Sequence, residues 1–233
     1  MADSTRQHEP AQARQLRLAA RALARAGLVH AYGHCSLRID SESFIVSPPK
    51  PLGLVGRDDE PIVVATRGPL PPNALGEVIV HQGIYRERSD VGAIARFQSP
   101  HITALSTLGR TPNARHGFGS YFAPGPPLHS DPRLVRDAAS AAALVKGLGS
   151  SRAIVMRGNG AVAVGASLPE AVVMAWYLED AARVELAVLG SGVAGVELTL
   201  AEARDRAITS GQIIERMWDW LTAGDPEASP TVQ

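Results

Sequence analysis

The 233 residues contain one cysteine, Cys35, so an internal disulfide is excluded. Net charge is missing too. With 23 Lys and Arg against 23 Asp and Glu, the chain has no electrostatic footprint for nucleic acid or an anionic membrane, and neither is an expected partner. No apolar stretch approaches the length of a membrane span, and none opens the chain as a secretion signal would, so a cytoplasmic protein is expected. There is no internal repeat, and no Walker-type or other phosphate loop.

What is present suffices for one sizeable core: 45% of the residues are hydrophobic. One domain is expected over residues 11–222, with a polar, frayed N-terminus at 1–10 and a disordered tail at 223–233. The organising stretch runs from Asp90 to His101. A β-forming run from Val91 to Gln98 ends in Arg96 and Gln98, which alternation puts on one face of the strand, and Ser99-Pro100 then starts a helix over 100–108. A pocket is expected at that strand end. A helix predicted over 76–88 carries Glu77 and His81 on one face and brings its acidic end to the same region.

The remaining elements follow from period and punctuation. Ala11–Ala26 is a helix capped by Gly27, and Cys35–Ile39 with Ser43–Ser47 form an antiparallel hairpin, followed by a strand at Pro61–Thr66. Residues 109–131, containing His116, Tyr121 and His129, have no clear period and form a long loop of the kind that usually carries function. A helix is predicted over 132–147. Strands at 153–156 and 161–164 are joined by Gly158-Asn159-Gly160, where Asn159 suits a left-handed turn, and Ser167 opens a helix to about Leu189. A last helix is expected over 200–221. It carries Trp218 and Trp220, which cannot share one helical face, leaving one for a subunit contact.

Four segments, in this order, resemble the class II aldolase/adducin family: Gly33-His34-Cys35-Ser36-Leu37-Arg38; Glu77-x-x-x-His81 with Ile84-Tyr85; Asp90-Val91-Gly92-Ala93-Ile94 leading into Ser99-Pro100; and Arg157-Gly158-Asn159-Gly160 followed by Val164-Gly165-x-Ser167-Leu168-x-Glu170-Ala171. They span about residues 10–190, and the first and last are most similar to the branch that contains decarboxylases. The resemblance implies an α/β fold, an α/β/α domain with a mixed, largely antiparallel central sheet covered by helices. It also implies a homotetramer with the pocket near a subunit interface, approached by the loop that carries His116 and Tyr121.

In that family a divalent metal, usually zinc, is held by His-x-His at the end of the central strand and by a third His in a Gly-His-Gly turn. The matching positions here are Arg96, Gln98 and Asn159. Arginine has no lone pair to give and amides are poor zinc ligands, so no metal and no other cofactor is expected. Glu77 matches the acid that transfers protons in the aldolases, and Arg96 offers a fixed positive charge for a carboxylate or oxyanion. Leu75 and Gly76 stand where sugar-phosphate aldolases have two serines, which points to an unphosphorylated substrate.

The expected function is a metal-independent, lyase-like enzyme acting on a small carbonyl or carboxylate compound by proton transfer with C–C cleavage, formation or decarboxylation. Glu77 and Arg96 are the expected catalytic residues, and His34, Ser36, Gln98, His116, Tyr121 and Asn159 the expected substrate-binding residues. His81 is read as a packing or supporting histidine and Cys35 as an inert core residue. Two competing readings are a non-catalytic protein that binds a ligand or partner, and an isomerase or cyclase of a biosynthetic pathway. Arg96 collapsed against Glu77 would favour the non-catalytic reading, whereas an open polar cavity would favour an enzyme.

Overall fold

The computed structural model describes residues 10–228. Residues 1–9 and 229–233, most of the expected frayed and disordered ends, lie outside the described residues. Leucines and alanines at helical spacing bury one face of α1 (Pro10–Arg25), and Gly27 ends it at φ 70°. Strands β1 (His34–Arg38), β2 (Ser43–Val46) and β3 (Ile62–Ala65) follow, then α2 (Ile79–Glu87) behind a 3-10 turn at Gly76–Val78, and the central strand β4 (Ala93–Phe97). Next come α3 (Pro100–Thr107), β5 (Leu128–His129), α4 (Ala138–Leu148), β6 (Ala153–Met156), β7 (Ala161–Gly165), α5 (Leu168–Ser191), α6 (Leu200–Arg206) and α7 (Ile213–Thr222).

The strands form one seven-stranded sheet in the order β3-β2-β1-β4-β7-β6-β5, antiparallel throughout except for the parallel pair β5–β6. This is the expected α/β/α arrangement. Alternation divides each strand between two cores. Cys35, Ile45, Ala95 and Phe97 pack with α1, α3 and α5, while Phe44, Val46, Ile94 and Val162 pack with α2 and α4. His34, Ser36 and Arg96 share the parity of the second set, so β1 and β4 aim them towards the α2 side.

Four expectations are corrected. The loop 109–131 contains a 3-10 turn at Gly119–Phe122 and the short strand β5, whose two residues are too few for any sequence period. The helix expected from Pro132 begins only at Ala138, because Asp137 accepts from the amides of Ala139 and Ser140 and so fixes the cap there. The last helix is two: Gly211 and Gln212 take left-handed φ values of 75° and 58°, and the Tyr121 hydroxyl holds the Ile208 carbonyl between α6 and α7.

The chain after α7 is docked as far as it is described. Asp225 and Glu227 are buried against α1, with Asp225 bonded to Arg21 at 2.7 Å and Arg25 at 2.6 Å, and Glu227 bonded to Arg17 at 2.7 Å. Burial by itself would raise the Asp225 carboxyl, but Arg21, the Glu227 amide and Arg25 outweigh it and hold it well below the usual carboxylate range. That contribution is complete above the ordinary carboxylate pKa and fades as pH falls through the depressed value. Asp225→Asn should therefore cost roughly 2 kcal/mol, a fall in Tm of about 4–8 °C at neutral pH, and the gap to wild type should close in acid. Thermal melts of both proteins across pH check this, and equal melting temperatures at pH 7 would refute it.

Candidate active site

β1 and β4 lie side by side with His34 opposite Arg96, so the two strands deliver an imidazole and a guanidinium to the same end of the sheet. Gly33 makes the approach possible. At φ 138° it lies where a side chain would be strained, and a Cβ there would meet Val29 Cγ1 at 2.5 Å and the Arg96 carbonyl at 3.1 Å. The 3-10 turn ahead of α2 brings Glu77 alongside, and Arg96 Nη2 donates to Glu77 Oε1 at 3.4 Å. Of the residues aimed at one point, Arg96 and Glu77 meet, whereas Gln98 pairs with Asn159 and His81 with His34 and Ser36.

Arg96 is one of the largest fully buried side chains, yet it is poorly satisfied. Its second hydrogen bond, to the Phe97 carbonyl, is also 3.4 Å long, and Nε is buried with no partner among the described residues. A guanidinium has five N–H donors, and burying one without close acceptors is costly. Burial pushes its pKa down, against the pull of Glu77.

Beside Glu77 lies a cavity of about 290 Å³ whose lining includes His34, Glu77, Tyr32, Lys50 and Arg136 but not Arg96, which is joined to it through Glu77. Lys50 is tied to Asp59 at 2.8 Å, whereas Arg136 makes no hydrogen bond or ion pair among the described residues. Sequence reasoning missed Tyr32, Lys50 and Arg136. Arg136 was hidden because the expected helix absorbed it; the late start of α4 leaves it outside the helix and in the cavity wall. A larger cavity of about 460 Å³ at the start of α4 contains none of the motif residues. Its carboxylates Asp131 and Asp137 are occupied by Arg133 and by helix amides.

Behind His34 runs a buried polar chain. His34 Nδ1 is 2.8 Å from His81 Nε2, His81 Nδ1 is 2.6 Å from Ser36 Oγ, and Ser36 Oγ is 2.8 Å from the Tyr85 hydroxyl. Burial, then His81 and Arg96, lower His34 well below its ordinary pKa, and burial followed by Arg96 takes His81 down to about 3. Both imidazoles are neutral at pH 7. The structure therefore makes Ser36 part of a buried chain instead of the cavity wall.

Gln98 and Asn159 sit together at the neighbouring strand end, where Gln98 Nε2 donates to Asn159 Oδ1 and leaves Asn159 Nδ2 buried without a partner. Gly160, at φ 73°, turns the chain where a Cβ would strike the Phe97 carbonyl. Neither amide lines the cavity of His34 and Glu77. His116 bonds Asp180 at 2.9 Å and Tyr121 packs on Tyr177, so within one chain both lie on the α5 side of the sheet. The N-terminus of α3 is also occupied: Glu179 of α5 accepts from Ser99 Oγ and from the amides of His101 and Ile102.

The metal that the family resemblance implies does not fit these residues. A guanidinium has no lone pair, and the one amide oxygen that Asn159 could give is already taken by Gln98. Among the described residues no three His, Cys, Asp or Glu side chains are grouped to hold a metal ion.

Comparison with known proteins gives a consistent result. Residues 14–186 match the family described as Class II Aldolase and Adducin N-terminal domain. The chain is 29% identical over 197 residues to a 3,4-dihydroxyphthalate decarboxylase of Arthrobacter keyseri, covering 75% of this chain and 77% of the relative. It is 28% identical over 183 residues to the enzyme of the same name from a Terrabacter species, covering 71% and 76%. In structure it is similar to an L-fuculose 1-phosphate aldolase from Glaciozyma antarctica, with a TM-score of 0.78 at 20% identity, over 95% of this chain and 91% of that one.

Proposed function

This chain belongs to the class II aldolase and adducin family, and from that premise we propose that it is a lyase-type enzyme acting without a metal on a small unphosphorylated carboxylate or carbonyl compound. The observation that carries the reading is Arg96, a buried cation with only long contacts beside a cavity that holds a second uncommitted guanidinium, Arg136. An anionic ligand that reached past Glu77 to Arg96 would satisfy both. The names of the decarboxylase relatives support a carboxylate substrate and favour decarboxylation in our reading.

In that direction the C–C bond to the carboxylate breaks and CO2 leaves. The electron pair stays on the substrate as an enolate, whose oxygen is held by Arg96, and Glu77 passes a proton from solvent to the carbon. Arg136 and Lys50 at the cavity wall attract and orient the anion. Gln98 and Asn159 complete the polar end of β4 without touching the cavity in one chain, and a role for His116 and Tyr121 would require a neighbouring copy in an oligomer, a tetramer in our reading. The protein works in the cytoplasm in this reading.

The test is an assay with 3,4-dihydroxyphthalate and related hydroxy- and oxo-carboxylates, following CO2 release and the product by mass spectrometry. Turnover should survive a strong chelator, and elemental analysis should find far less than one zinc per chain. Stoichiometric zinc or iron surviving dialysis against a weak chelator would refute metal independence. One observation favours a second reading, a non-catalytic ligand-binding protein: Arg96 is only 2% exposed and faces Glu77. That reading is favoured if no carboxylate turns over and changes at either residue alter only thermal stability.

A further inference from the structure

The buried chain from Tyr85 to His34 has more order than a packing cluster needs. Its four groups bring four hydrogens, one each on His34, His81, Ser36 and Tyr85, to three hydrogen bonds. One hydrogen is therefore always left over: at His34, at Tyr85, or on Ser36 itself when its oxygen accepts from both neighbours. If the bonds run from Tyr85 towards the cavity, the phenol donates to Ser36, Ser36 donates to His81 Nδ1, His81 Nε2–H donates to His34 Nδ1, and the spare hydrogen is the N–H at His34 Nε2. If they run the other way, His34 Nε2 is a bare lone pair and the Tyr85 hydroxyl hydrogen is stranded.

The surroundings decide among the three. A hydrogen stranded on buried Ser36, whose oxygen has no partner among the described residues beyond His81 and Tyr85, is as poorly placed as one stranded on Tyr85. Tyr85 is buried between the Phe44 ring and the Arg38 guanidinium, and among the described residues Ser36 is the only hydrogen-bond partner of its hydroxyl. A stranded phenol hydrogen there incurs the full cost of desolvation. Arg96, the nearby cation, makes no hydrogen bond to His34 Nε2, which is buried without any partner, so a lone pair on that nitrogen would gain none either. Nε2 itself is buried, but His34 and Glu77 line the same cavity, so a ligand seated against them is the partner open to an N–H at this nitrogen.

We propose that His34 acts as a neutral hydrogen-bond donor, through Nε2–H, to an anionic oxygen of the substrate, and that Tyr85, Ser36 and His81 are positioning residues that set this tautomer. The ligand half of the proposal rests on the lyase reading above; the tautomer half does not. Paired with Arg96, a neutral donor supports the developing oxyanion without giving up its proton, and so complements Glu77, which moves one. The chain cannot serve as a proton source itself. Losing a proton would leave a buried phenolate at Tyr85, whose pKa burial raises far above the ordinary phenol value.

Long-range 1H–15N spectra of the whole protein with labelled histidine read the tautomer directly, with His34→Gln assigning the signal. His34 should carry its proton on Nε2 and remain neutral between pH 5 and 9. An Nδ1–H form or an imidazolium at pH 7 would overturn the proposal, whatever the enzyme's substrate proves to be. Ser36→Ala cuts the chain and should give exchange-averaged shifts between the two tautomers; Tyr85→Phe should move them the same way by less. Unchanged spectra in both variants would refute the positioning role.

With 3,4-dihydroxyphthalate as probe, or whichever carboxylate of the panel is turned over, His34→Ala should lower kcat about a hundredfold. His34→Gln should recover most of it, because its amide donates a hydrogen bond but cannot act as a base. Glutamine no better than alanine would refute the donor role. No turnover with any carboxylate would refute the substrate half of the proposal along with the lyase reading and leave the spectra to judge the tautomer.

Discussion

Arg96→Ala should lower turnover of the carboxylate substrate by a hundredfold or more, about 3 kcal/mol in the barrier, and Arg96→Lys should be nearly as damaging. A lysine keeps the charge but not the planar fork that can meet two oxygens at once, and its ammonium loses more hydration in a buried site. Arg96→Met is the informative third variant. It keeps length and apolar volume while removing a buried charge whose best contacts are 3.4 Å long, so stability should be unchanged or should rise while activity is lost. Stability that falls with activity untouched would make the Arg96–Glu77 pair structural. Turnover, KM and Tm measured on the same three preparations decide it.

Glu77→Gln should bind the carboxylate about as well as wild type and lose about a hundred- to ten-thousandfold in kcat, since the amide keeps shape and cannot carry the proton. The Glu77 side chain is 18% exposed at the cavity, where it can exchange protons with water. Titration by isothermal calorimetry gives the binding half and steady-state kinetics the chemical half. Loss of binding with kcat intact would make Glu77 a mere counter-ion for Arg96.

Most of the fold was legible in the chain. The hairpin of β1 and β2, the central strand, the turn at Gly158-Asn159-Gly160 and the Ser167 cap each depend on residues within a few positions of one another, and local pattern reads such features well, although the left-handed residues of that turn are Gly158 and Gly160 and not Asn159 as expected. The pair at the heart of the site was legible for the same reason. Strand alternation placed Arg96 on the face towards α2, and the turn that opens α2 placed Glu77 there. β5, the split between α6 and α7, and the docked tail were not legible. Two residues of β5 are a strand only because β6 pairs with them, the α6–α7 break is held in part by Tyr121 from 87 positions away, and Asp225 is ordered by Arg21 204 positions away. A polar, proline-containing tail reads as disorder until its arginine partners are brought to it.

The candidate site divides along the same line. By itself the sequence determined which side chains are on offer: a carboxylate at Glu77, a permanent cation at Arg96, and amides, poor zinc ligands, at Gln98 and Asn159. Those are properties of side-chain type and of spacing along one strand or one helix. Only the tertiary structure decided that Arg136 faces the cavity, that Ser36 belongs to a buried chain with His81 and Tyr85, and that one chain holds His116 and Tyr121 away from Glu77. Each of those depends on contacts between elements far apart in the chain, and pairing between distant segments is set by how their buried faces fit, which no local period records.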